Sequence, residues 1–521
     1  MPPQKRKRTS SAGQKGIRES CLPPGPQSVS DLANWPLWIA KVLTQHSADD
    51  KEVELRLRSH ALNGLNVYTD YSGIDCPRES LRLGFAGLSK LHGWKCDGSV
   101  SHSRACDKDP TCRQVLLDLA ALDCGCVFGD IMDRLPSWGR EWIIAALPPR
   151  DADLPEKSAA HAKISEWIGK HAEMLFPDDA TSWCFAHGRM CAAHPILSRP
   201  LLQSFFPRPL MICCAGVSCL PWTAEGNQEA EASECEVPHS IWMNERKIRA
   251  LRGQEDIAFI ECTPRYPIQS ILESNFQHSH KCIWVKLGPE LFGWPHKRLR
   301  VVGAVLNLKT VMWHGPEDVR DIQKDFARRF HRTTSVGGDI FALASDAERM
   351  QEYCTFALKQ KNHLSAEELA AIPKDELLRL LLPPGGVQRF YEWMDCAYDM
   401  ALDGKIMFDV DHHPNTKGTS GGTNWPVNLR HGTVMAVNSD DADSWKLMTA
   451  FEHFAAMGFL VFPELVNNFG EYPSKPFLQG FSSTQLKKFL GNGMHLVTQC
   501  AWMLYVLGHT SLIDRRQEAQ I

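Results

Sequence analysis

The feature that most constrains this chain is a repeated change of hydrophobic period between residues 60 and 135. Leu65-Asn66-Val67-Tyr68 has the make-up of a strand, and Ser72-Gly73-Ile74-Asp75 supplies a turn after it. Glu79 to Leu91 reads as a helix. A second strand ends near Ala105-Cys106, Asp107-Lys108-Asp109-Pro110 breaks it, and Thr111 to Leu122 is again helical. Cys126-Val127-Phe128 forms a third strand that closes at Gly129-Asp130. Strands alternating with helices through short loops predict a parallel sheet covered by helices. Further on, Leu210–Cys214, Ile257–Ile260 and Arg300–Val305 are continuous rather than alternating apolar runs. Strands buried on both faces require that pattern. The predicted fold class is α/β, with a doubly wound, mostly parallel sheet. Such sheets bind ligands outside the carboxyl ends of their strands.

A chain of 521 residues exceeds one ordinary domain. Residues 1–30, rich in Pro, Gly, Ser and basic side chains, are expected to be disordered, and 31–60 to form an extension. Residues 61–305 carry the strand–helix pattern, with a helical insertion at about 145–195. In that insertion Ile164, Trp167, Ile168, His171 and Leu175 share a helical face, where His171 is expected to pack or cap. Residues 306–440 change character, with helical stretches at 344–361 and 365–382 and a Gly/Thr/Asn-rich segment from Asn415 to Trp425. Residues 441–521 return to helical patterns at about 446–458 and 484–508.

No apolar run reaches the roughly 20 residues of a membrane span, which excludes a transmembrane helix. The net charge of −4 means that any nucleic-acid role needs a local basic surface. Lys5-Arg6-Lys7-Arg8 and Arg328-Arg329-Phe330-His331-Arg332 are the candidates. The first also reads as a nuclear localisation signal, so the expected location is the nucleus, or otherwise the cytoplasm. The 18 cysteines include no Cys-x-x-Cys pair, so no metal site is expected and most are read as small buried residues.

Glycine or carboxylate turns close each of the first three strands. Asp107 after the second suits ribose hydroxyls, and Asp130 after the third can accept from an exocyclic amine, together fitting an adenosine-containing ligand. With these residues the chain resembles the DNA cytosine-5 methyltransferase family. Tyr71-Ser72-Gly73-Ile74 is similar to its first motif, Asp107-Lys108-Asp109 to the second and Gly129-Asp130-Ile131 to the third. Gly216-Val217-Ser218-Cys219-Leu220-Pro221-Trp222 resembles the catalytic loop. Glu261-Cys262-Thr263 stands where the family has Glu-Asn-Val, and Gly293-Trp294-Pro295-His296-Lys297-Arg298-Leu299-Arg300 matches the arginine motif. Glu452 to Pro463 and Gly491-Asn492-Gly493-Met494 are similar to the last two, and Pro426 to Gly432 also looks familial. The motifs run in family order from about 60 to 521, and 306–440 falls where the family carries its target-recognition domain.

The resemblance implies S-adenosylmethionine as cofactor, held by Tyr71, Ser72, Gly73, Asp107, Asp130 and Asn492, with double-stranded DNA as partner. It implies Cys219 as nucleophile, with Glu261, Arg298 and Arg300 stabilising the attacked base, and a target cytosine flipped out of the duplex. Arg328, Arg329 and Arg332 are expected to hold phosphates. Departures occur at Ser218 for proline, Cys262 for asparagine, His296 for glutamine, and Asp75 and Cys76 for glycines. Two alternatives remain at this stage: a transfer RNA cytosine methyltransferase, and a catalytically weak DNA-binding or regulatory relative.

Overall fold

The computed structural model describes residues 22–45, 50–95, 100–123, 125–194, 208–222, 229–277, 279–399, 405–411, 413–414, 433–438, 441–466 and 477–513. The Lys5–Arg8 cluster, Asn415–Trp425, Pro426–Gly432 and Thr223–Gly226 lie outside the described residues.

The seven-stranded sheet is built from β1 (Leu65–Asp70), β2 (Val100–Cys106), β3 (Cys126–Phe128), β6 (Leu210–Gly216), β7 (Ile257–Cys262), β8 (His280–Leu287) and β9 (Arg300–Asn307). Between them β4 (Thr181–Cys184) and β5 (Arg189–Ala192) form a separate hairpin. The sheet order is β3-β2-β1-β6-β7-β9-β8. Six strands run in one direction, while β9 alone is reversed between β7 and β8. The chain winds outward from β1 to β2 and β3, then returns beside β1 with β6 and β7. That reversal opens a crevice at the carboxyl ends of β1 and β6.

The central strands owe their place to their composition: every residue of β7 and all but the last of β6 is buried. Strand β8 escapes the sequence pattern because it is an edge strand, with polar residues such as Lys281 and Lys286 interrupting its apolar run. Two long helical runs are interrupted. Pro373 splits 365–382 into Ala366–Ala370 and Lys374–Leu381, and 484–508 is two helices, Ser483–Asn492 and Leu496–Gly508. The stretch 446–458 starts inside a strand, Asp441–Leu447; its helix begins at Ala450, after a Thr449–Glu452 capping box.

Residues 22–30, expected to be disordered, are ordered. The Gly25 N–H donates to the Thr333 carbonyl at 2.8 Å, and Gly25 packs against Gly293 so closely that neither has room for a side chain. The main core reaches beyond the sheet to Val311, Ile322, Phe326, Phe330 and Phe341, while a second core runs from Tyr353 to Leu447. The 145–195 insertion holds the helix Leu154–Lys170, with Ile164 and Ile168 fully buried, and the β4–β5 hairpin. His171 caps that helix, its Nδ1 lying 2.9 Å from the Trp167 carbonyl oxygen.

Leu496–Gly508 is buried at every position. It packs on the helix Cys76–His92, where the Ser80 hydroxyl donates to the Leu496 carbonyl at 3.2 Å. Among the described residues no helix is long and apolar enough to cross a membrane.

Candidate active site

Register places the chemistry. Gly216 at the end of β6 pairs with Glu261 on β7, and Glu261 pairs with Val302 on β9. Because β9 is reversed, its first residue, Arg300, starts at the end of β7 where Glu261 lies. The Arg300 Nε lies 3.0 Å from Glu261 Oε1. Glu261 is buried, and desolvation pushes its carboxyl above the usual range, opposed by the Arg300 and Arg298 charges.

Cys219 follows β6 on the loop that leaves the crevice. It is half-buried, and its carbonyl accepts from the Trp222 N–H at 3.0 Å. Cys262 lies under this loop, its Sγ 3.9 Å from the carbonyl oxygens of Val217 and Ser218. A thiol is a weak donor, so the brace is softer than an amide would make it. The Ser218 hydroxyl accepts from the Cys235 thiol at 3.1 Å. The loop thus keeps two sulfur contacts in place of a proline's stiffness.

On the other side of the crevice, Gly73 turns with φ +55°, and a Cβ there would meet nothing within 4 Å. Its N–H donates to Asp107 Oδ2 at 2.8 Å, and the Asp109 N–H to Asp107 Oδ1 at 2.8 Å. Each Asp107 oxygen keeps a lone pair for a further donor. Burial raises this carboxyl, although the two N–H bonds oppose the shift. Asp130 caps a short turn through the Met132 N–H at 2.9 Å. It lines an open cleft of about 660 Å³ with Lys108, Asp109, Arg113 and Phe185. Lys488, from the C-terminal segment, reaches this cleft and pairs with Asp109 at 2.7 Å. Asn492 ends its helix exposed to solvent, between Gly491 and Gly493.

Tyr71 and Asp75 hold left-handed backbone at φ +52° and +61°, a region glycine adopts without strain. Asp75 is held there by His102, whose Nε2 lies 2.9 Å from Asp75 Oδ2 in a buried pair. The Tyr71 hydroxyl is shielded, which pushes its pKa up.

Three expectations need correction. Arg298 is buried and donates to the carbonyls of Gly491, at 2.9 Å, and Gly493, so it positions the C-terminal loop rather than meeting the base. The Ser72 hydroxyl accepts from the Cys106 N–H at 2.8 Å and touches Thr69, knitting β1 to β2 instead of facing a ligand. Arg329 is buried between Asp50 at 2.7 Å and Asp325 at 3.0 Å, and Arg332 lies over Trp38 and donates to backbone carbonyls. Arg328 alone of the three arginines is well exposed, in a surface pair with Asp325 at 2.6 Å. Separately, ligand-type atoms of Cys126, Cys184, His187 and Cys191 gather within 4.8 Å of one another. The cluster's signal in the sequence is the spacing Cys-x-x-His-x-x-x-Cys from 184 to 191, which contains no Cys-x-x-Cys pair.

A parallel sheet whose last-but-one strand is reversed, with glycine and carboxylate turns at its first strand ends, decides the fold class. The fold is that of an S-adenosylmethionine-dependent methyltransferase. No family model matches the chain, and no curated protein matches it. Among solved structures it is similar to a Schizosaccharomyces pombe Dnmt2 methyltransferase, at 13% identity and TM-score 0.39, covering 85% of this chain and 98% of that one. It is also similar to the Entamoeba histolytica methyltransferase EhMeth, at 10% identity and TM-score 0.39, covering 85% and 98%. A third is a putative DNA modification methyltransferase encoded within an Escherichia coli prophage, at 10% identity and TM-score 0.37, covering 86% and 98%. Likeness at this level carries no argument about substrate, and the site residues must make that case themselves.

Proposed function

We propose that this chain methylates carbon 5 of cytosine in DNA, with S-adenosylmethionine as donor. The observation that carries the reading is the convergence of Cys219, Glu261 and Arg300 on one end of the sheet, beside a carboxylate-lined cleft. The residues there fit the donor: open space at Gly73, spare lone pairs on Asp107, and Asp130 on the cleft wall. When bound, the donor supplies an electrophilic methyl on a sulfonium sulfur. The chain's own work is to activate the base. Cys219 adds as thiolate to carbon 6, which makes carbon 5 nucleophilic, and it leaves again when the carbon 5 proton departs. Glu261, whose carboxyl is pushed above its usual range by burial, is placed to share a proton with N3 as charge builds there and so offsets the charge that addition places on the ring. Arg300 fixes that carboxyl and offers its guanidinium to the base oxygen. The base must leave the duplex stack to reach this site, at a cost of a few kcal/mol.

The test is trapping. Duplex DNA carrying 5-fluorocytosine, incubated with protein and donor, is expected to give a denaturation-resistant adduct with the wild type and none with Cys219→Ala. A transfer RNA arm with the same analogue separates the substrates. Absence of both donor binding and adduct would remove the enzymatic reading.

A further inference from the structure

Cys126 at the start of β3, Cys184 at the end of β4, His187 in the β4–β5 turn and Cys191 in β5 meet at one point. The His187 Nδ1 lies 3.3 Å from Cys184 Sγ, 3.5 Å from Cys191 Sγ and 3.6 Å from Cys126 Sγ. Hydrogen bonding does not explain this. A ring nitrogen has one proton or one lone pair, and here it faces three sulfurs. A shared centre does explain it. A tetrahedral zinc with bonds of about 2.3 Å to sulfur and 2.0 Å to nitrogen has sulfur–nitrogen edges of about 3.5 Å. The distances found bracket that edge.

The hairpin carrying three of these side chains has a second peculiarity. Its strands are four residues each, and Trp183, Phe185 and Met190 point outward, 50%, 42% and 56% exposed. Beneath it lies only a small cluster of Cys106, Phe128 and Cys184 with Cys126 and Cys191 at its rim. A two-stranded hairpin with so little core is at best marginal in water. Yet it is fastened to the sheet edge, the Phe185 N–H donating to the Val127 carbonyl at 2.8 Å. Something other than apolar burial holds it, and four ligands joining β3 to β4 and β5 would do so.

We propose that Cys126, Cys184, His187 and Cys191 bind one zinc ion, as a closed structural site that clips the inserted hairpin to the β3 edge of the sheet. Four protein ligands leave no open position, so the ion is not a catalytic one. Binding forms three zinc–thiolate bonds and one zinc–imidazole bond, releases three thiol protons to solvent and transfers no electron. A thiolate-rich tetrahedral set selects zinc over calcium or magnesium, which prefer oxygen ligands. This proposal is independent of the methyl-transfer reading, because its test measures metal and not activity.

The full chain, purified without added metal or chelator, is expected to carry one zinc per molecule by elemental analysis. Cys184→Ser and Cys191→Ser are expected to lose it, while Cys354→Ser, in the second core, keeps it. Because the cluster variants can misfold, the wild type is also exchanged into cobalt. A sulfur-to-cobalt charge-transfer band with intense d–d bands supports a tetrahedral thiolate site; weak octahedral bands overturn it. Zinc retained in both cluster variants overturns the proposal. So does a metal-free wild type, or one in which mass spectrometry finds two of the cluster cysteines joined as a disulfide.

Discussion

Replacing Arg298 by alanine distinguishes a catalytic from a positioning role. Its guanidinium is buried and donates to the carbonyls of Gly491 and Gly493. Hydrogen bonds made by a charged group contribute about 1.5–3 kcal/mol each, so losing two costs about 3–6 kcal/mol. That is a large share of the roughly 5–15 kcal/mol that holds a typical domain together. At about 2 °C per kcal/mol for a large domain, the unfolding midpoint is expected to fall by about 6–12 °C. Donor binding should weaken in parallel, because the Gly491–Gly493 turn flanks Asn492 and lies near Cys76 after the first-strand turn. The assays are thermal unfolding with and without donor, and donor titration by calorimetry. Arg300→Ala serves as contrast: it removes the partner of Glu261 at the site, so it should lose adduct formation while donor affinity stays near that of the wild type. If Arg298→Ala keeps its midpoint and its donor affinity yet loses adduct formation, the arginine acts on the base and the positioning argument is wrong.

Arg329→Ala removes the Arg329 guanidinium from the fully buried Asp50 carboxylate and is expected to destabilise the fold by up to about 3–5 kcal/mol, measured by urea denaturation. Arg328→Ala, losing only a surface pair, should cost less than about 1 kcal/mol and instead weaken DNA binding and lower its salt dependence, read by fluorescence anisotropy. Buried histidines should make the fold acid-labile: burial lowers His280 and His509 to about 4 and His194 and His495 to about 3. The unfolded chain then takes up protons first, so stability is full above about pH 6.5 and falls as pH drops toward 4. Urea midpoints from pH 7.5 to 4.5 check this; a flat profile contradicts it, and His495→Asn should reduce the slope. Phe185→Ala removes a ring 4.6 Å from the Arg113 guanidinium on the cleft wall and should weaken donor binding about two- to fivefold by calorimetry, the worth of one exposed cation–π pair.

Much of the sheet was legible because buried parallel strands are continuous apolar runs, as in Leu210–Cys214 and Ile257–Ile260. Strand β8 was not, since polar residues interrupt the apolar run of this edge strand and make it mimic a loop. The sequence pattern places Glu261 near the end of β7, Arg300 at the start of β9 and Cys219 on the loop after β6, and the structure has them there. The fate of Arg298, two residues before Arg300, was not legible. Which of two nearby arginines turns inward depends on Gly491 and Gly493, almost 200 positions away. Arg329 and Arg332 failed as surface cations for the same reason: a run of basic residues says nothing about the buried aspartate or tryptophan that receives them. The Cys126–Cys191 cluster was half visible, since three ligands sit within eight residues of chain and the fourth comes from a distant strand.

The burial of Leu496–Gly508 has a consequence for how the protein comes into being. A chain made from its amino end completes β1 and the helix after it long before residues 496–508 exist. Until then Gly84, which a side chain could enlarge only by striking Cys500 and Leu504, faces an unfilled apolar groove. Domains assemble as they emerge from the ribosome, and exposed grooves of this kind are what chaperones engage. The helix Leu496–Gly508 seals the groove, and the segment just before it anchors Arg298 and brings Lys488 to Asp109. A chain lacking residues 496–508 keeps that groove open and exposes apolar surface of the kind chaperones engage.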